Sequence, residues 1–125
     1  MIKYRSYKKT DFDSLKPLLE NANMFADPWE SEENISSMID RDKDSIIVAV
    51  NTEDDSVVGS LFLIPYGAKV TIIFRLTVKE DFRKQGIATK LIEYVSEMVK
   101  KKGVVEIGLF VDSEKEYLHD FYKKD

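Results

Sequence analysis

One stretch constrains the fold of this chain more than any other: residues 75–102, where a strand passes through a short turn into a helix that opens at a glycine. An apolar, β-branched run begins near Val70 and ends at Val78, which predicts a strand. The apolar residues then change to helical spacing, at Ile87, Leu91, Ile92, Val95, Met98 and Val99. The sequence therefore predicts a junction between strand and helix at residues 83–88.

This junction has the chemistry of an anion site. The first N–H groups of a helix have no partner within the helix, and they point the same way as the positive end of its dipole. Arg83 and Lys84 add positive charge beside them. Gly86 lets ligand oxygens approach the main chain without meeting a Cβ, and Ala88 leaves the next turn nearly as bare. The sequence thus predicts a cradle for a phosphate or pyrophosphate.

The junction also carries a family signature. Arg83-x-x-Gly86-x-Ala88, following a strand, resembles the Arg/Gln-x-x-Gly-x-Gly/Ala signature of the GNAT superfamily of N-acetyltransferases. The resemblance covers nearly the whole chain, because residues 104–111 form another strand pattern and residues 117–124 resemble the family's following helix.

The resemblance implies both a substrate and a set of site residues. It implies acetyl-CoA as acyl donor, with the pantetheine arm pairing to the main chain of Leu76, Thr77 and Val78, and one N–H there polarising the acetyl carbonyl. It places the pyrophosphate on the following residues: Arg83, Lys84, Gln85, Gly86, Ile87 and Ala88. Tyr122 matches the position whose phenol often protonates the thiolate of CoA, although an aromatic residue there could equally serve packing.

The general base stays open at the level of sequence. Some family members place a glutamate on the strand before the motif, where this chain has Ile72 and Ile73. His119 is the only histidine, and its position beside acidic residues favours a surface role. A carboxylate from residues 27–33, or ordered water, is equally admissible. The acidic residues of 27–44 favour a solvated helix face, with attraction of a cationic amine as the functional alternative.

The order of patterns predicts a single domain over residues 1–125. We expect an α+β fold of the GNAT type, in the order β-α-α-β-β-β-α-β-α, with a mixed, mainly antiparallel sheet covered by helices on both faces. Thr10 is expected to cap the first helix, which Pro17 either kinks or starts later. Gly59 indicates a bulge or a close backbone approach.

Composition excludes several classes of function. The net charge of −4 argues against a nucleic-acid partner, and no apolar run reaches the roughly 20 residues of a membrane helix. Without cysteine there is no disulfide, no thiolate metal site and no cysteine nucleophile, and we expect no metal and a cytoplasmic location. The expected reaction is therefore direct attack by a primary amine of a small molecule or peptide. The alternative is a catalytically silent GNAT-like domain that binds CoA or a protein partner.

The end of the sequence departs from the family pattern. The chain stops at Asp125, where the family continues into closing strands, so the strand at 104–111 would keep an open edge. A shortened chain, a partner subunit over the edge and a naturally minimal form all explain this. Pairing with a second copy, a homodimer, is the hypothesis we draw from it.

Overall fold

The computed structural model describes residues 1–110, and they form a five-stranded sheet with helices on both faces. The elements, in order, are strand β1 (Ile2–Ser6), helices α1 (Phe12–Asn21) and α2 (Glu32–Arg41), strands β2 (Ile46–Asn51), β3 (Ser56–Tyr66) and β4 (Val70–Val78), helix α3 (Ile87–Lys100) and strand β5 (Glu106–Leu109). The sheet order is β1-β2-β3-β4-β5. The first four strands are antiparallel and β5 runs parallel to β4, as a helical crossover requires. The predicted α+β fold class is confirmed, while the helix predicted at 117–124 lies outside the described residues.

Alternation along the strands builds one core on each face of the sheet. In β2, Ile47 and Ala49 pack in the cluster beneath α3, whereas Ile46 and Val48 pack in the cluster beneath α1 and α2. Side chains of a strand point to opposite faces in turn, so a strand that is apolar throughout fills both clusters. In the described part of the chain, no helix is long and apolar enough to cross a membrane.

The start of α1 differs from the prediction. The helix begins at Phe12 after a tight 3-10 turn (Lys9–Asp11), and its N-cap residue is Asp11, so the expected cap at Thr10 is wrong. The carboxylate of Asp11 accepts the N–H of Lys8 at 2.8 Å, which tightens the turn before the helix. Pro17 lies inside α1, so it does not mark a later start of the helix.

Asp11 also forms a paired hydrogen bond with Arg5 of β1, with distances of 2.8 Å from Nη1 to Oδ2 and 3.0 Å from Nη2 to Oδ1. Burial by itself raises the pKa of Asp11, but the hydrogen bonds from Arg5 and Lys8 outweigh that effect and leave the pKa below its ordinary value. The ionised carboxylate therefore stabilises the folded state above the unfolded pKa of about 3.9.

We expect Asp11→Asn to lower the free energy of unfolding at pH 7 by about 2 kcal/mol, because charge-assisted hydrogen bonds are lost. The difference from wild type should shrink as the pH falls below the unfolded pKa of about 3.9 and then through the lowered folded pKa. Urea unfolding at pH 7, 5, 4 and 3 measures this. Glu20→Gln, at an exposed carboxylate of α1, is the control and should stay within about 0.5 kcal/mol of wild type. A penalty of equal size from pH 7 to pH 3 would contradict the expected linkage.

Candidate active site

The predicted junction forms where β4 passes into α3. A 3-10 turn (Glu80–Phe82) follows β4, and Gly86 is the N-cap of the helix. Lys84 and Gly86 have left-handed backbones, with φ of 65° and 79°. A Cβ added at Gly86 would meet no atom within 4 Å, so the main chain there faces open space. The junction therefore provides the bare helix start that the sequence predicted.

The start of α3 presents main-chain donors. Lys90 donates its N–H to the carbonyl of Gly86 at 3.0 Å, so the helical ladder of hydrogen bonds begins at this pair. By helix geometry, the N–H groups of residues 87–89 lie ahead of the ladder. The first turn contains no acidic side chain that would cancel the positive end of the dipole. This arrangement is chemically suited to an anion.

A bulge interrupts β4 just before the junction, and the sequence analysis did not predict it. Ser60 of β3 lies opposite Thr77, but Phe62 lies opposite Phe74, so β4 carries one extra residue between these pairs. Arg75 lies in this interval with a left-handed φ of 52°. The extra residue changes which main-chain groups face which neighbour.

Two hydrogen bonds on either side of the bulge show this change. The carbonyl of Ile73 accepts the N–H of Phe110 at 2.9 Å, on the β5 side. The N–H of Lys79 donates to the carbonyl of Val58 at 2.7 Å, on the β3 side. In an uninterrupted strand, the main-chain groups of residues an even number apart face the same neighbouring strand. Ile73 and Lys79 are an even number apart but face opposite neighbours, so the bulge has reversed the alternation. The main-chain groups of Leu76 and Val78 consequently point to the β5 side of β4.

The pairing of β4 with β5 stops before it reaches that region. In the described part of the chain, the last pair of the two strands is Ile73 with Leu109. Within residues 1–110, the C-terminal end of β4 therefore extends beyond its paired region with β5, and Leu76 and Val78 are directed toward that side. An extended ligand could add to this edge as a further strand.

A cleft of about 450 Å³ joins this strand end to the C-terminal part of α1. Its lining comprises Leu18, Asn21, Ala22, Thr77, Val78, Lys79, Glu80, Asp81 and Arg83. Arg83 connects the turn before α3 to the end of β4, because its Nε donates to the carbonyl of Val78 at 3.0 Å. The cleft thus combines the end of β4 with two basic and two acidic side chains of the segment that leads to α3.

The predicted site residues fall into two groups by exposure. Lys84, Gln85 and Gly86 are exposed, and Arg83 and Ala88 are partly buried. The others are buried, namely Leu76, Thr77, Val78 and Ile87. The buried residues can offer a ligand mainly their backbone, which agrees with the role that the resemblance implied. Tyr122 and His119 lie outside the described residues.

The acidic stretch contains one residue that the sequence analysis misjudged. Asp27, Glu32 and Glu33 are exposed, as expected of a solvated face, but Glu30 is only 2% exposed. The Glu30 carboxylate bonds to Arg75 at the bulge, with distances of 3.1 Å to Nε and 3.3 Å to Nη2. No local pattern marks Glu30 as buried, because its partner lies 45 residues further along the chain. Within residues 1–110, no group of three or more His, Asp or Glu side chains could hold a metal ion.

Comparison with known proteins places these features in a family. Residues 12–124 match the Acetyltransferase (GNAT) family. An acetyltransferase of Pectobacterium atrosepticum is 30% identical over 122 residues, which cover 96% of this chain and 83% of that protein.

Solved structures agree on the fold. Ard1 from Thermoplasma volcanium superposes with a TM-score of 0.83 at 20% identity, covering 98% of this chain and 80% of that chain. The PaiA N-acetyltransferase from Thermoplasma acidophilum, solved in complex with coenzyme A, gives a TM-score of 0.83 at 20% identity, covering 99% of this chain and 87% of that chain. The family match and the curated relative extend this agreement from fold to sequence. The chain therefore belongs to the GNAT family of acetyltransferases.

Proposed function

We propose that this protein transfers an acetyl group from acetyl-CoA to a primary amine by direct attack. The observation that carries the proposal is the continuity of two binding elements. The outward edge of β4 at Leu76 and Val78 leads, within a few residues, into the bare N-terminus of α3 at Gly86. The thioester arm of acetyl-CoA needs the first element, and its pyrophosphate needs the second.

The start of α3 would hold the pyrophosphate. The N–H groups of residues 87–89 and the open main chain at Gly86 would donate hydrogen bonds to its oxygens. Arg83, Lys84 and Gln85 surround the same turn and would add charge and polar contacts. The small side chain of Ala88 keeps the first turn accessible. The solved relative with bound coenzyme A supports CoA as the ligand of this fold.

The edge of β4 would hold the pantetheine arm and the acetyl group. Leu76 and Val78 would pair with the arm through their main chain, as an added strand would. Thr77 faces β3 opposite Ser60 and would contribute as part of the cleft lining. The N–H of Leu76, directed to the β5 side, would donate to the acetyl carbonyl oxygen and stabilise negative charge that develops there.

The reaction would then balance as follows. The neutral amine nitrogen attacks the carbonyl carbon, a C–N bond forms and the C–S bond breaks. The Tyr122 phenol gives its proton to the departing thiolate, and the attacking nitrogen loses a proton to water or to an exposed carboxylate of residues 27–33. The sequence contains no cysteine that could carry an acyl intermediate, which supports a single transfer.

We test the function with purified protein, acetyl-CoA and a panel of polyamines, aminoglycosides, amino acids and peptides, and measure the thiol released. With an amine that turns over, Tyr122→Phe should lower kcat about 100-fold, because the thiolate loses its proton donor, and leave the Kd for acetyl-CoA within about threefold. Tyr117→Phe is the matched control and should keep the wild-type rate. Wild-type turnover by Tyr122→Phe would remove that residue from the mechanism. Binding of acetyl-CoA without thiol release from any amine would favour the silent alternative.

A further inference from the structure

The buried ion pair between Glu30 and Arg75 is the strongest feature that the proposed reaction does not yet use. Both carboxylate oxygens of Glu30 contact the guanidinium, at 3.1 Å to Nε and 3.3 Å to Nη2. The side chain of Glu30 is 3% exposed and that of Arg75 is 29% exposed. Such two-point pairing fixes the relative orientation of the carboxylate and guanidinium planes as well as their separation.

Glu30 also organises the loop that precedes α2. Its Oε1 accepts the N–H of Ala26 at 2.9 Å, and its own N–H donates to the carbonyl of Ala26 at 2.8 Å. The next turn is attached to α2, because the side-chain amide of Asn34 donates to the carbonyl of Trp29 at 2.7 Å. The loop of residues 26–31 is therefore stabilised by its own hydrogen bonds, and the pair of Glu30 with Arg75 connects it to β4.

Arg75 lies at the point where β4 reverses its alternation. Its left-handed backbone, with φ of 52°, is uncommon for a residue with a side chain and persists only where surrounding contacts maintain it. The pair with Glu30 is such a contact. The next residue along the strand is Leu76, whose N–H direction depends on the bulge.

We propose that the Glu30–Arg75 pair is a positioning device for acyl transfer: it maintains the β4 bulge that aims the Leu76 N–H at the acetyl carbonyl, and it ties the loop of residues 26–31 to the same point. This inference rests on the proposed function. Glu30 and Arg75 touch neither substrate in it, so they are positioning residues and act through Leu76. The pair should therefore affect the acetyl group far more than the pyrophosphate, which binds at the other end of the site.

The test uses Glu30→Gln, which keeps the shape of the side chain and removes its charge. The probes are CoA and acetyl-CoA labelled with ¹³C at the acetyl carbonyl. We expect the Kd for CoA to stay within about threefold of wild type, because the helix start is unchanged. The ¹³C resonance of the bound carbonyl should move toward its position in unbound acetyl-CoA as the hydrogen bond from Leu76 weakens. With a competent amine, kcat should fall about ten- to a hundredfold, with KM for acetyl-CoA nearly unchanged.

Two further variants keep the result decisive. Arg75→Lys retains the positive charge but cannot contact both carboxylate oxygens in the same plane, so it should move the ¹³C resonance in the same direction by a smaller amount. It serves as the principal variant if Glu30→Gln does not fold. Arg75→Gly lacks the ion pair, but glycine accepts the left-handed backbone. If the pair acts by controlling backbone geometry, the ¹³C resonance of bound acetyl-CoA in Arg75→Gly should lie closer to its wild-type position than in Glu30→Gln.

The chain offers a matched control at the opposite edge of the sheet. Arg5 and Asp11 form the same two-point pair, with side-chain exposures of 20% and 9%. Asp11→Asn and Arg5→Lys should lower the melting temperature and leave both the ¹³C resonance and kcat at wild-type values. If Glu30→Gln behaves in the same way, the pair is only structural and the inference is overturned. Absence of CoA binding by the wild-type protein would instead overturn the proposed function, and the inference with it.

Discussion

Gly86→Glu should weaken binding of acetyl-CoA at least about 100-fold, which is about 2.8 kcal/mol because each factor of ten in affinity corresponds to about 1.4 kcal/mol. The new carboxylate would lie among the N–H groups that we assign to the pyrophosphate, and would compete with it for them. Two unit charges about 4 Å apart repel by about 4 kcal/mol at an effective dielectric constant near 20, so the expected loss is physically reasonable.

The fold should tolerate this substitution. A Cβ at Gly86 meets no atom within 4 Å, so the cost of the change is limited to the left-handed backbone, about 1–2 kcal/mol. An acidic side chain beside a helix N-terminus is itself favourable and offsets part of that cost. The variant should therefore separate binding from folding, with a wild-type circular dichroism spectrum and little heat in calorimetric titration with acetyl-CoA.

Gly103→Glu is the matched control for this experiment. Gly103 also has a left-handed backbone, with φ of 93°, and a Cβ there likewise meets no atom within 4 Å. It follows the C-terminal end of α3, so the same substitution adds the same strain and charge at the other end of one helix. We expect its Kd for acetyl-CoA to stay within about threefold of wild type. Equal affinities of the wild-type protein and Gly86→Glu would mean that the pyrophosphate is not bound at the start of α3.

The sequence was sufficient to predict the elements of the fold because their signals are local. The spacing of apolar residues predicted a strand from near Val70 to Val78 and the start of a helix within residues 83–88, as the structure has them, and the turn at Gly86 has the predicted bare main chain. Of the two alternatives predicted for Gly59, the bulge is confirmed, and the atoms nearest to a Cβ there belong to side chains. The pairing of β2 with β3 shifts register between Ala49 and Val50, and a Cβ at Gly59 would come within 3.2 Å of Ile87.

The missed features near the site depend on distant partners. Nothing in the residues around Arg75 indicates a left-handed backbone, since arginine is not a residue that favours one. Glu30 belongs to an acidic run that is otherwise exposed, and only its contact with Arg75 distinguishes it. Asp11 rather than Thr10 stands at the start of α1, and its carboxylate pairs with Arg5 of β1 and accepts the N–H of Lys8. Side chains that pair across elements become visible only when the topology is known.

Leu91→Ala should cause the largest loss of stability, about 3 kcal/mol, within the range of 2–5 kcal/mol for large-to-small changes in a core. Leu91 is 0% exposed and belongs to the cluster between α3 and the sheet. Truncation removes three carbons and leaves a cavity that the helix can close only by moving. Urea unfolding, with an unchanged m-value as the check on two-state behaviour, measures the loss.

The same position allows a test of what holds α3 against the sheet. A Cβ at Gly59 would lie 3.2 Å from Ile87 Cγ2, 3.3 Å from Leu91 Cδ1 and 3.3 Å from Ala49 Cβ. These distances are shorter than ordinary van der Waals contacts, so Gly59→Ala alone should lower the free energy of unfolding by about 1–2 kcal/mol through overpacking. Leu91→Ala removes one of these three close contacts, so in that background Gly59→Ala should cost less, with a coupling of about 1 kcal/mol between the two sites.

Gly108→Ala is the control, because its Cβ would lie at an ordinary 3.5 Å from Ile72 Cγ1. Its cost should be the same in the wild-type and Leu91→Ala backgrounds. If the losses of stability in Gly59→Ala and Leu91→Ala are additive, then the contact with Gly59 does not determine the position of α3. Coupled costs would mean that the absence of a side chain at Gly59 sets the distance between α3 and the sheet.

Since Ile87 is both the first residue of α3 and a contact of Gly59, that distance also sets where the helix start lies relative to the end of β4. Gly59→Ala should then weaken acetyl-CoA binding as well as stability, although Gly59 is not among the residues that we assign to the ligand.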